Sequence, residues 1–139
     1  MKENKIKFAV IGAGHIGKRH AEMISRNNES ELVAFCDVKR EEDLNISHFN
    51  VPLYNSVEHL LDNHLDVDVV NICTPNGLHS KQAIIAIDQN KHVVVEKPIG
   101  LSKNKCEKVI FKALEKHKHV FAVMQNRYSP PSIWLKGIV

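Results

Sequence analysis

The stretch Phe8-Ala9-Val10-Ile11-Gly12-Ala13-Gly14-His15-Ile16-Gly17 decides the fold, together with Asp37, which lies 20 residues past Gly17. An apolar run enters a glycine turn, and the turn opens a helix. Gly12 allows the tight turn, Gly14 lets a ligand approach the backbone, and Gly17 lets helix and strand pack closely. Glycines at this spacing also occur in ordinary turns, so the pattern draws its force from context. It calls for a strand before it, an amphipathic helix after it and an acid about 20 residues further on. All three are present, and they point to a βαβ unit whose helix N-terminus offers free N–H groups and a positive dipole end to a pyrophosphate.

Working outward, the helix is expected to turn Ile16, His20, Met23 and Ile24 to one face and to end at Asn27-Asn28. Glu31 to Cys36 then reads as a short buried parallel strand with Asp37 at its C-terminal tip. A carboxylate there accepts hydrogen bonds from both ribose hydroxyls of an adenosine and repels a 2′-phosphate, which favours NAD over NADP. Lys39 and Arg40 follow closely enough to meet a 2′-phosphate, so NADP stays open. The plainer role for Asp37 is a cap or turn residue.

Composition narrows the function. The chain has 139 residues, 43% of them hydrophobic, and a net charge of +3 with its basic residues scattered. That is the size of one domain with a real core, and it does not suggest a nucleic-acid partner. Residues 1–5 are polar and no long apolar segment follows, so neither a signal peptide nor a membrane span is expected. The expected location is cytoplasmic. Cys36, Cys73 and Cys106 are odd in number and lie in apolar contexts, suiting buried thiols better than disulfides. No metal site is expected: His117 and His119 lack a third ligand at useful spacing, and His15 and His20 are five apart, one too many for a shared helical face.

Strands and helices keep alternating, which predicts a doubly wound, mostly parallel sheet in an α/β, three-layer Rossmann arrangement. Val38 to Asn50 reads as a loop with a short helix, and Val51 to Tyr54 as a short strand near the sheet edge because of Pro52. Ser56 is placed to cap a helix through Asn63. Val67 to Ile72 and His92 to Glu96 read as strands, with a helix from Leu78 to Asn90 between them. Ser102 is expected to cap a helix whose apolar stripe is Cys106, Val109, Ile110, Ala113 and Leu114. The final strand is expected over Val120 to Gln125.

Two more loops fall at strand C-terminal ends, where open α/β sheets bind ligands. Thr74-Pro75-Asn76-Gly77-Leu78-His79 brings a hydroxyl, an amide and an imidazole to a restrained turn, although a turn and cap is the plain alternative. Glu96-Lys97-Pro98 puts a cation at the tip of the next strand, where it can donate to an oxygen whose charge changes during hydride transfer. Its plain alternative is an exposed strand end.

In order, these segments resemble the glucose-fructose oxidoreductase / inositol dehydrogenase / MocA (Gfo/Idh/MocA) family. The resemblance runs from Ala9 to His20, through Cys36-Asp37, Thr74 to His79 and Glu96-Lys97-Pro98-Ile99, to Gln125-Asn126-Arg127-Tyr128. It implies that Gly12, Gly14, His15, Ile16, Gly17, Asp37, Thr74, Pro75, Asn76 and His79 surround the cofactor. It places Glu96 and Lys97 beside the nicotinamide, with Lys97 as the catalytic residue contacting the reacting hydroxyl or carbonyl, and Pro98 after a cis peptide bond. Asn126 and Arg127 match a segment at the cofactor or substrate end of the sheet.

The resemblance further implies hydride exchange between a nicotinamide dinucleotide and a secondary alcohol of a sugar, cyclitol or nucleotide sugar. Residues 1–127 are read as the dinucleotide-binding domain. Residues 128–139 are read as the start of a linker helix toward a further substrate and oligomerisation domain, so that a homo-oligomer depends on that domain. The alternative is a non-catalytic dinucleotide-binding or partner-docking module using the helix around Trp134, since fold does not fix function.

Overall fold

The computed structural model describes residues 5–138. Six strands form one sheet: β1 (Ile6–Ile11), β2 (Ser30–Cys36), β3 (Leu53–Tyr54), β4 (Val69–Ile72), β5 (His92–Val95) and β6 (Val120–Ala122). Every pairing is parallel, and the spatial order is β3-β2-β1-β4-β5-β6. This is the doubly wound Rossmann order, in which the order of strand addition switches between β1 and β4 and leaves a crevice at their C-terminal ends.

Helices cover the sheet on two sides. They are α1 (His15–Arg26), α2 (Glu41–Leu44), α3 (Val57–Asn63), α4 (His79–Asp88), α5 (Lys103–Glu115) and α6 (Pro130–Lys136). Alternation along β1 separates two cores. Ala9 and Ile11 face α3, α4 and α5 through Leu60, Leu61, Ala83, Ile87 and Val109, whereas Val10 faces α1 and the segment after it through Ala21, Ile24 and Ile46. The expected caps form: Ser56 Oγ accepts from the His59 N–H at 3.1 Å, and Ser102 Oγ from the Lys105 N–H at 3.3 Å. β3 is the short edge strand expected around Pro52.

The structure differs from the sequence expectations in three places. The buried stripe of α1 is Gly17, Ala21 and Ile24, while Ile16 and Met23 are exposed. Small residues sit inward because the helix lies almost on the sheet. In α5 only Val109 and Ala113 of the expected stripe are buried, and Ile110 and Leu114 face outward. β6 ends at Ala122, because its neighbour β5 ends at Val95, and Gln125–Tyr128 form a 3-10 turn instead.

Candidate dinucleotide site

The glycine turn is built by backbone demands that local sequence meets. Gly12 has φ of +89°, and a Cβ there would lie 2.7 Å from the Cys73 carbonyl oxygen. A Cβ on Gly17 would lie 1.7 Å from the Gly12 carbonyl oxygen. Both glycines are therefore required by the fold itself. Gly14 differs: a Cβ there would meet nothing within 4 Å, and the residue lines the crevice. No packing neighbour requires glycine at that position, the N-cap of α1, whereas a ligand lying against the backbone would. The first turn of α1 carries neither a capping side chain nor an acid, which leaves its amides for an anion.

The crevice has a volume of about 500 Å³ and runs from Gly12 and Gly14 past Asp37 to Thr74 and Pro75. Asp37 is fixed rather than free. Its Oδ2 accepts from the Ala13 N–H at 2.8 Å and its Oδ1 from the Lys39 N–H at 3.0 Å. The turn role is met and leaves room for another: one carboxylate ties β2 to the glycine turn and retains lone pairs for further donors. Lys39 also lines the crevice. Burial pushes the Cys36 and Cys73 thiols up to about 12, and neighbouring carboxylates add to the effect, so both walls present neutral thiols.

His79 lies elsewhere than expected. It is fully buried, with Nδ1 2.8 Å from the Pro98 carbonyl oxygen and Nε2 2.7 Å from that of Thr74. It therefore clamps the Thr74-Pro75-Asn76 loop to the loop after β5, which contains the cis Lys97–Pro98 bond. A doubly protonated ring satisfies both carbonyls and a neutral ring satisfies one. Thr74 Oγ1 donates to Gln82 Oε1 of α4, which holds the same loop from its other end.

Asn76 is exposed and lines none of these cavities; the other expected residues divide between two neighbouring cavities. His15, Ile16 and Glu96 line one beside α1, of about 490 Å³. There Asn71 Nδ2 donates to His20 Nδ1 at 2.9 Å, which leaves the His20 Nε2–H to donate to Glu96 Oε1 at 3.0 Å. This chain joins α1, β4 and the tip of β5, and the buried Asn71 Oδ1 has no partner in it. Helical spacing places His20 on the apolar face of α1 and gives no sign of its polar partners, and it does not single out Asn71. A polar residue inside an apolar strand was the one available signal. Lys97, Asn126 and Arg127 line the other cavity, of about 480 Å³, and share no wall residue with the crevice.

Among the described residues, then, Gly12, Gly14, Asp37, Thr74 and Pro75 share the crevice, and Gly17 packs beneath it. The residues 6–124 match the model of an oxidoreductase family with an NAD-binding Rossmann fold, GFO_IDH_MocA. The chain belongs to this family. It is 29% identical to inositol 2-dehydrogenase from Salmonella typhimurium over 96% of its own length and 41% of that enzyme's. It is 30% identical to D-glucoside 3-dehydrogenase from Escherichia coli over 73% of its length and 30% of that enzyme's. Among solved structures, the WlbA dehydrogenase from Bordetella pertussis, in complex with NADH and UDP-GlcNAcA, superposes with a TM-score of 0.90 at 29% identity. That match covers 96% of this chain and 41% of WlbA. The match thus spans between 30% and 41% of the length of these relatives, and the chain carries their NAD-binding domain.

Proposed function

We propose that this chain is the cofactor-binding part of a dehydrogenase that moves a hydride between nicotinamide and a secondary alcohol of a sugar, cyclitol or nucleotide sugar. When bound, the nicotinamide supplies the hydride acceptor or donor at its C4. The chain's own residues do the rest of what can be assigned here. The α1 amides and Gly14 hold the pyrophosphate, and Asp37 holds the adenosine ribose and disfavours a 2′-phosphate. Thr74 and Pro75 form the opposite wall. Lys97 donates to the substrate oxygen, holding its proton as alcohol and carbonyl interconvert. Further substrate contacts, and any homo-oligomer interface, are assigned to sequence that the longer relatives have beyond the matched part. The chain by itself is expected to bind dinucleotide with little or no turnover; ordinary turnover by purified residues 1–139 would overturn that part.

The observation that carries the proposal is the contrast between Gly14 and its two partner glycines, since only at Gly14 would an added Cβ meet open crevice instead of backbone. It is tested by Gly14→Ala. The variant should fold with a stability loss of no more than about 1 kcal/mol, the cost of Ala at an N-cap, while NADH affinity falls by about tenfold or more, because a methyl then stands where the ligand lies. Unchanged NADH affinity, read by quenching of protein fluorescence, would overturn the site. A parallel titration should show NADH binding at least about tenfold tighter than NADPH, with Asp37→Ala narrowing the difference. Among the described residues no helix is long and apolar enough to cross a membrane. The three cysteines are free thiols, which fits a reducing, cytoplasmic compartment.

A further inference from the structure

Three cations from three separate elements meet around the cavity at the ends of β5 and β6. Lys97 follows β5, Arg127 lies in the 3-10 turn Gln125–Tyr128, and Lys136 closes α6. Gln125, Asn126 and Ser132 complete most of the wall, and no acid contributes to it. Among the described residues, none of the three cations has a carboxylate within 4.0 Å, whereas Lys7 and Lys103 each have one and Lys112 has two. We propose that this cavity binds an anionic oxygen group, a carboxylate or a phosphate, carried by the substrate. The proposal presupposes the dehydrogenase assignment and specifies the substrate's charge.

Like charges converging on one cavity repel one another, and a bound anion relieves that repulsion while accepting charge-assisted hydrogen bonds from each. Arg127 suits a planar two-oxygen group, and its turn is held by the Arg127 N–H donating to the Met124 carbonyl at 3.0 Å. The anion cannot be the cofactor's pyrophosphate, whose amides lie in a crevice sharing none of these wall residues. It belongs on the molecule that Lys97 contacts. Relatives are named for uncharged inositol and found with a charged UDP-sugar acid alike, so family membership leaves the charge open and the cavity decides it.

The test is an NMR titration of the isotope-labelled chain, with and without saturating NADH, using D-glucuronate, D-glucose 6-phosphate and D-glucose. At least one of the two anions should shift the amides of Asn126, Arg127 and Lys136 saturably, and glucose should bind about tenfold more weakly or not at all. Whichever anion binds tighter distinguishes a carboxylate from a phosphate subsite. Arg127→Gln and Lys136→Gln should each weaken the anion by about fivefold or more, Arg127→Lys less so, with amide spectra confirming the fold and NADH affinity unchanged within about twofold. Equal binding of glucose and the anions, no saturable response to either anion, or a response indifferent to both Gln variants would overturn the proposal. Loss of NADH binding with the anion response intact would instead strike the dinucleotide assignment and leave this one standing.

Discussion

One row of residues crosses the sheet on the α1 face: Phe35, Val10, Asn71, Val94 and Phe121, each the register partner of the next. Its two ends differ. Phe35 and Val10 are 0% exposed and Asn71 is 5% exposed, whereas Val94 is half-buried and Phe121 is 57% exposed. Helix α1 lies over β1, β2 and β4, so the β2 end of the row is finished core while the β6 end is an apolar surface. Ile110, Phe111 and Leu114 of α5 and Trp134 of α6 are likewise exposed. The half that carries the glycine turn and Asp37 is complete in itself. The half that carries Lys97 and Arg127 displays the kind of apolar surface that marks an interaction site. The residues proposed for cofactor binding and those proposed for substrate handling are thus separated along the sheet, with the first group self-sufficient in packing.

The sharpest way to break the finished half is Gly17→Ala. The added methyl would sit 1.7 Å from the Gly12 carbonyl oxygen, a backbone atom that cannot swing aside. Helix α1 must lift from the sheet, exposing Ala21 and Ile24 and pulling its amides out of line with the crevice. The expected destabilisation is roughly 4 kcal/mol or complete loss of the fold, with NADH binding lost in either case. Urea denaturation followed by circular dichroism measures it. A loss of less than about 1 kcal/mol would mean that helix and turn are not in contact in solution.

That glycine was legible in the sequence because its reason is local: three glycines, a strand, a helix and an acid at fixed spacing. The doubly wound parallel architecture followed from the alternation of apolar runs and helices. What was not legible depends on partners distant in sequence. His79 reads as a site residue by position, but it is buried because Pro98, 19 positions away, supplies a carbonyl to it. The His20–Glu96 pair spans 76 positions, and no periodicity in α1 announces it. The inward face of α1 was misjudged for a similar reason. Apolar spacing favours Ile16 and Met23, but where the helix lies closest to the sheet it admits Gly17 and Ala21, with Ile24 buried a turn further on. The weak burial of Ile110 and Leu114 depends on what covers α5, which helical spacing does not encode.

Between the two halves stands His79, whose ring joins the loop after β4 to the loop after β5. His79→Leu keeps much of the bulk and leaves two buried carbonyls without a ring donor. It should cost about 2–3 kcal/mol, and His79→Gln, with an amide that can reach one carbonyl, about half as much. Denaturation gives the stability. NADH affinity should fall several-fold in both variants, because Thr74 and Pro75 lose their anchor. A neutral His79→Leu would show that water or backbone rearrangement satisfies those carbonyls.

The smallest effect sharpens the comparison most, because it sets a small buried residue against a large exposed one on adjacent strands. Val93 on β5 is 0% exposed and packs beneath α4 and α5; Phe121 on β6 is 57% exposed. Val93→Ala removes two methyl groups from a filled core and should cost about 2 kcal/mol, including the cavity left behind. Phe121→Ala removes a whole ring, but most of that ring already meets water, so the cost should stay below about 1 kcal/mol. Side-chain size and stability loss should therefore run in opposite order. If Phe121→Ala instead costs as much as Val93→Ala, the β6 face must be covered in solution, and size-exclusion chromatography at two protein concentrations would show whether a second copy covers it. In that case the self-sufficiency of the glycine-turn half would be a difference in partners, not in packing.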